Sequence, residues 1–231
     1  MMSSSATSWE TEFAARPLCD ECNGAFERRE HVMIGISPFN SYFSESRICA
    51  LVCWAQQTFD EMHLFVPDDW SVYTLRALGY SEARAIKKAA RQASYLHNKI
   101  RRALGKVGFD GDRATDLVLT AESVAQLSTY RKRFNEYLTL YDADGEFREA
   151  CRSGSKWVLS EMTGEHLSAQ SLDLAAQYLL AEMPLMLDTP GVLKQKSSVF
   201  GYHKYTDFIE GLYRGRFPLY KSPRQGFVVI V

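Results

Sequence analysis

The sequence lacks most of the features that decide a protein's class at a glance. No apolar run approaches the roughly 20 residues that span a bilayer, so no membrane partner is expected. Neither sign of charge dominates: 27 Lys and Arg face 28 Asp and Glu, a net charge of -1. Any polyanion must therefore be held by a local patch rather than by bulk charge. Cysteines number only five, odd and too sparse for a disulfide scaffold, which fits a reducing, cytoplasmic setting. Cys19 and Cys22 form a CxxC, and Cys49 and Cys53 stand four apart among Leu, Val and Trp. That second setting suits small buried hydrophobes better than zinc ligands, and no metal is expected. The dinucleotide fingerprint G-x-G-x-x-G and the P-loop are missing. So is G-x-S-x-G, because Gly35-Ile36-Ser37-Pro38-Phe39 has no second glycine. No cofactor is expected, and neither repeats nor a linker interrupt the chain.

What is there is enough apolar material for one domain. The 231 residues are 46% hydrophobic, consistent with a single α/β core in a monomer. Residues 1–28 are polar and mixed and read as a flexible or irregular leader, with a short helix or a turn around Cys19–Gly24; residues 29–231 carry the domain. Val32–Ile36 is an apolar run ending in turn residues, the pattern of a buried parallel strand. A helix over Ser46–Phe59 and a strand over Met62–Pro67 follow, giving the first unit of a Rossmann-like wound sheet. Further strands are expected at Leu117–Thr120, Val199–His203 and Phe227–Val231. Helices are expected at Tyr80–Lys106, Glu122–Tyr141, Phe147–Met162, Ser168–Met183 and Asp207–Tyr213. Pro184 should end or kink the fourth of these helices, leaving Asp188–Ser198 as turns. Ligands of open α/β sheets bind beyond the carboxyl ends of the strands. Ser37 stands there, with Gly35 beside it offering a close approach to backbone.

Three other places carry chemistry. Arg84, Lys87, Lys88, Arg91, Lys99, Arg101, Arg102 and Lys106 share one helix with Glu82 as their sole acid. Ile86, Ala90, Ala93, Ile100 and Leu104 are expected to face the core. The stripe is either a solvated face or, at about 30 Å long, a track for a polyanion backbone. Tyr178 and Glu182 lie i, i+4 on another helix. Leu-Leu-Ala-Glu-Met-Pro-Leu-Met desolvates Glu182 and should raise its pKa. Tyr202-His203 closes a strand at the same sheet edge.

Together these residues resemble the cyclodipeptide synthases. The family signature His-x-hydrophobic-hydrophobic-Gly-hydrophobic-Ser-x-x-Asn-Ser-x-aromatic is met at every position by His31–Phe43. Tyr-hydrophobic-x-x-Glu-x-Pro is met by Tyr178–Pro184. Asn40, Tyr202 and His203 resemble the family's Asn-Tyr-His branch. The resemblance implies a Rossmann-like fold similar to class I tyrosyl- and tryptophanyl-tRNA synthetase catalytic domains. It also implies the joining of amino acids from two aminoacyl-tRNAs into a 2,5-diketopiperazine. By the same resemblance Ser37 is the nucleophile, and Tyr178 and Glu182 hold the α-amino group. Tyr202 supports the dipeptidyl intermediate, and Gly35, Asn40, His203 and Tyr130 complete the catalytic pocket. A first aminoacyl pocket is implied at Met33, Gly35, Phe65, Pro67, Leu119, Leu185 and Met186, and a second at Trp157, Glu161, Phe200 and Lys204. Arg84, Lys87, Lys88, Arg91, Lys99, Arg101 and Arg102 match the family's tRNA-binding helix. A truncated synthetase lacks support because the ATP motifs are missing. A non-catalytic tRNA binder would not need Ser37, Tyr178 and Glu182 together.

Overall fold

The computed structural model describes residues 13–163 and 167–231. Its six strands are β1 (Ala15–Pro17), β2 (His31–Gly35), β3 (Glu61–Val66), β4 (Val118–Thr120), β5 (Ser198–Tyr202) and β6 (Gln225–Ile230). They form one sheet in the order β1-β6-β5-β2-β3-β4. All neighbours are parallel except β1, which pairs antiparallel with β6. Successive side chains of β2 enter two different cores. Val32, Ile34 and Ile36 pack with α2 (Glu45–Thr58) and α4 (Glu82–Lys106). Met33 packs on the other face with α7 (Ser128–Ala143) and α9 (Ala169–Leu193). A strand covered on both faces has no polar side, so β2 is buried throughout.

The order of strands reverses between β2 and β5: β3 and β4 lie to one side, β5 and β6 to the other. Met33 pairs with Phe200 and Ile34 with Gly201, so the carboxyl ends of β2 and β5 open level at this switch point. At their opposite ends, the buried His31 ring bridges Ser198 Oγ at 2.7 Å and His63 Nδ1 at 2.9 Å. Burial depresses the His31 pKa to about 3, helped by the neighbouring His63, so this clamp is neutral.

Four sequence expectations need correcting. The leader expected over residues 1–28 contains a strand, β1, ahead of the short helix α1 (Asp20–Glu27); residues 1–12 lie outside the described residues. Ala15, Arg16 and Pro17 pair with Ile230, Val229 and Val228, and this pairing, not local apolarity, makes the strand. On α4 the buried face is Ala85, Ala89, Ala93, Leu96, Ile100, Ala103 and Leu104. Ile86 is 52% exposed and Ala90 is exposed too. The helix turns its alanines inward because Ala85 and Ala89 must approach Leu75 of α3 (Ser71–Ala77) closely. The single helix expected over Glu122–Tyr141 is two, α6 (Ala121–Ala125) and α7, with Thr120 and Ser123 forming a capping box at the first.

The fourth correction concerns α9, which runs through Pro184 and Pro190 to Leu193, across the segment read as turns. It bends at Asp188, whose φ/ψ of -150°/40° is not helical. Around this bend three backbone groups find partners. Thr189 N–H donates to Gln225 Oε1 at 2.9 Å, its hydroxyl donates to Leu185 O, and Tyr213 OH donates to Met186 O. The last carbonyl is the one that Pro190, lacking an N–H, leaves open. α5 (Gly111–Asp116), α8 (Gly145–Thr163) and α10 (Asp207–Tyr213) complete the described helices. Among the described residues no helix is long and apolar enough to cross a membrane.

Candidate active site

Ser37 emerges from β2 into the turn Pro38-Phe39-Asn40-Ser41. Phe39 holds φ +62°, a left-handed conformation costly for a bulky residue. The turn thereby aims Ser37 across the switch point at β5. Ser37 Oγ lies 2.9 Å from Tyr202 OH. Asn40 Nδ2 donates to that same phenol at 3.3 Å and lies 3.5 Å from His203 Nε2. The Asn40 carboxamide oxygen accepts from Tyr42 N–H at 3.0 Å, which fixes the amide's orientation. Tyr42 stacks on His203 with ring centroids 4.1 Å apart. Gly35 explains how Tyr202 comes so near: a Cβ there would meet Phe200 Cζ at 3.0 Å and Tyr202 Cδ2 at 3.4 Å.

The other side of the site belongs to α9. Tyr178 lies near enough to both Ser37 and Glu182 for each to perturb its phenol, so Tyr202, Ser37, Tyr178 and the Glu182 carboxyl cluster at the switch point. Glu182 is 8% exposed. Burial pushes its pKa up to about 8, only partly offset by the Tyr178 hydrogen bond. Burial, and then the Glu182 charge, raises the Tyr178 phenol well above its ordinary value. Tyr130 is buried, donates to Ala181 O at 2.9 Å, and is raised by burial and by Glu182. The result is a site of half-buried hydroxyls around a buried carboxyl that can change charge near neutrality while the phenols stay protonated.

Of the residues expected to line a first pocket, Met33, Phe65, Leu185 and Met186 are buried in one cluster, with Leu119 packed against it. Pro67 is buried just past β3. Phe200, expected in a second pocket, belongs to this same cluster and touches the Gly35 position. Its place follows from strand alternation, which points Met33 and Phe200 to one face. Lys204 is exposed beside His203. The side chains of Trp157 and Glu161 lie outside the described residues. Sequence reasoning passed over Trp70, which stacks on Tyr130 at 5.8 Å and tilts against Phe65 at 5.4 Å. Its position just beyond β3, where such sheets bind ligands, was the available signal.

The basic helix lies beside this site. Arg84, Lys87, Arg91, Arg101 and Arg102 are exposed and Lys88 and Lys99 half-buried. Lys99 Nζ donates to Phe43 O at 2.8 Å, and Lys88 Nζ to Tyr80 OH at 2.7 Å. Arg102 and Lys106 both pair with Glu45 of α2, at 2.7 and 2.5 Å, an acid that sequence proximity did not reveal. A cavity of about 340 Å³ separates the Ser37–Ser41 turn from Gln92, Tyr95 and Lys99. The Cys19 and Cys22 sulfurs are 3.3 Å apart, while Cys49 is buried against Ala103 of α4. Among the described residues no three His, Cys, Asp or Glu gather as a metal site.

A serine at the switch point of a mostly parallel sheet, linked to tyrosines and a buried carboxyl, defines an α/β protein arranged for acyl chemistry. The family model described as cyclodipeptide synthase matches residues 13–231, and the chain belongs to that family. It is 29% identical over 224 residues to a cyclo(L-leucyl-L-leucyl) synthase of Bacillus subtilis, covering 94% of this chain and 89% of the other. It is 32% identical over 206 residues to a cyclo(L-leucyl-L-phenylalanyl) synthase of Streptomyces noursei, covering 88% and 85%. A Mycobacterium tuberculosis structure, described as showing that cyclodipeptide synthetases are related to type I tRNA synthetases, superposes with TM-score 0.84. It is 30% identical and covers 95% of this chain and 93% of that one. The fold is also shared, at TM-score 0.51 and 15% identity over 86% of each chain, with a Candidatus Glomeribacter gigasporarum synthase bound to Phe-tRNAPhe.

Proposed function

We propose that this synthase draws both amino acids from aminoacyl-tRNAs and works by a ping-pong route through an ester on Ser37. The observation that carries this reading is the contact of Ser37 Oγ with Tyr202 OH at 2.9 Å, with Tyr178 and the buried Glu182 carboxyl close by. An aminoacyl-tRNA is already an activated ester. Attack by Ser37 Oγ forms one ester, breaks another and returns the proton to the departing ribose hydroxyl. The exchange is near energy-neutral and needs no ATP. Tyr178 and Glu182 then hold the α-amino group of the bound aminoacyl. That amine attacks the second aminoacyl ester, forming the peptide bond, releasing the second tRNA with the proton on its ribose hydroxyl and leaving a dipeptidyl-enzyme. The second amine attacks the ester carbon on Ser37, closing the ring and restoring the serine. Tyr202, Asn40 and His203 act as the Asn-Tyr-His set, holding Ser37 and the ester oxygen during both transfers. The exposed cations of α4 hold the tRNA backbone. The apolar cluster around Met33, Phe65 and Leu185 favours a hydrophobic or aromatic first residue.

The test is incubation with a mixture of charged tRNAs, followed by mass spectrometry for diketopiperazines. Product should form without ATP, and intact-protein mass should show an aminoacyl adduct that Ser37→Ala abolishes. Release of free amino acids alone, or an adduct that survives Ser37→Ala, overturns the mechanism.

A further inference from the structure

Tyr95 is an uncharged aromatic ring on the charged stripe of α4. Tyr95 lies four residues after Arg91 and four before Lys99, so it stands on the same helix face as both. The helix does not need it for packing, since Ala93 and Leu96 face the core while Tyr95 is 61% exposed. Its ring and Gln92 form the helix side of the 340 Å³ cavity whose opposite wall is the Ser37–Ser41 turn. The Lys99–Phe43 hydrogen bond at 2.8 Å pins helix to turn and fixes the width of that gap.

We propose that Tyr95 is the stacking platform for the terminal nucleobase of the tRNA that delivers its acyl group to Ser37, with Gln92 toward the base edge. The inference rests on the aminoacyl-tRNA reading above. The reacting ester sits on the ribose of the last nucleotide, so the base on that ribose lies within one nucleoside of Ser37. On the helix wall of the cavity that Ser37 also lines, the large exposed side chain is the Tyr95 ring. The cations before and after it, Arg91 and Lys99, suit the phosphates on either side of an unpaired, splayed nucleotide. Stacking on aromatic side chains is how proteins hold such bases, and it tolerates any base because each has a π-face. A base clamped there orients the ester toward Ser37.

The experiment compares two fluorescent acceptor-stem hairpins by anisotropy. One ends in CCA; the other is identical but lacks the terminal base. Wild type should bind the intact hairpin about ten-fold more tightly, within the range of measured base–aromatic stacks. Tyr95→Ala and Tyr95→Leu should bind both hairpins equally, at the weaker value, and Tyr95→Phe should keep the preference. The salt dependence should not change in any variant, because every cation that meets a phosphate is still in place. A preference for the base that persists in Tyr95→Ala, or a wild type that does not distinguish the hairpins, overturns the proposal. Diketopiperazine formation by wild type is scored separately, so failure of the overall reading is distinguishable from failure of the Tyr95 platform.

Discussion

At the scale of single residues the site depends on what burial does to one carboxyl. Glu182 would ionise near pH 4.5 in the unfolded chain but is raised to about 8 in the fold. Between those values the folded state keeps a proton that the unfolded chain has released. Stability therefore falls as pH rises through the window and levels off above it. His31, lowered to about 3 by burial, acts in the opposite sense between pH 3 and 6.5, where its buried neutral ring loses to the charged unfolded form. The two offset one another between pH 4.5 and 6.5, and above pH 6.5 the Glu182 slope remains. From pH 6.5 to 8 the wild type should lose about 2 kcal/mol, at about 1.4 kcal/mol per pH unit. Urea denaturation at the two values checks this, and Glu182→Gln should flatten the difference. A variant that keeps the full slope would place the titrating group elsewhere. The same variant should lose diketopiperazine formation, since an amide can hydrogen-bond an amine but cannot neutralise or exchange its proton.

At the scale of elements, α4 shows how far the sequence could be read. Its extent and its charge were legible, because a 25-residue run with cations at helical spacing has one reading. The direction it turns to the core was not: large apolar residues dominate periodicity, yet close packing with α3 selected Ala85 and Ala89 and left Ile86 outside. The partner of its basic end was not legible either, since Glu45 lies 57 residues from Arg102. α9 repeats the lesson. A proline normally signals a helix end, but Tyr213, Gln225 and the Thr189 hydroxyl take up the backbone groups that the bend leaves over. Such compensation is a property of the assembled fold. The residues proposed for catalysis stood out through their resemblance to the family signatures, whereas Trp70 and the shared burial of Phe200 with Met33 needed three dimensions. Glu45 also yields a prediction. It holds Arg102 and Lys106 in ion pairs on the surface that is proposed to meet tRNA. Glu45→Gln should free both cations, tighten charged-tRNA binding and steepen its salt dependence by about 0.7 for each further phosphate that a freed cation neutralises. Neutralising Arg91 and Arg101 should do the reverse. A Glu45→Gln protein with unchanged affinity and salt slope would confine the tRNA track to the amino-terminal half of α4.

For the whole molecule, the sheet's two edges are treated differently. β4 is three residues long, too short to offer much unpaired backbone. β6 is six residues long and buried along five of them, and without cover it would present a long apolar edge, the usual template for intermolecular pairing. β1 closes that edge over three residues, assisted by Ala14, whose N–H donates to Val231 O at 2.9 Å, and by Leu18, whose N–H donates to Phe227 O at 3.0 Å. α1 then lies over β6 so tightly that a Cβ at Gly226 would meet Ala25 Cβ at 3.0 Å and Cys22 O at 3.1 Å. The segment that looked like a leader is therefore a cover for the strand beside β5, and β5 carries Tyr202. Deleting residues 1–28 should expose the β6 edge and drive the protein into aggregates, measured as loss of the soluble fraction and of the monomer peak on size exclusion. Replacing Arg16 and Pro17 in β1 by alanine should be milder, because the pairing there uses backbone. If the deletion variant stays soluble and keeps its diketopiperazine activity, β6 is protected by its own twist and β1 and α1 are dispensable to the catalytic end of the sheet.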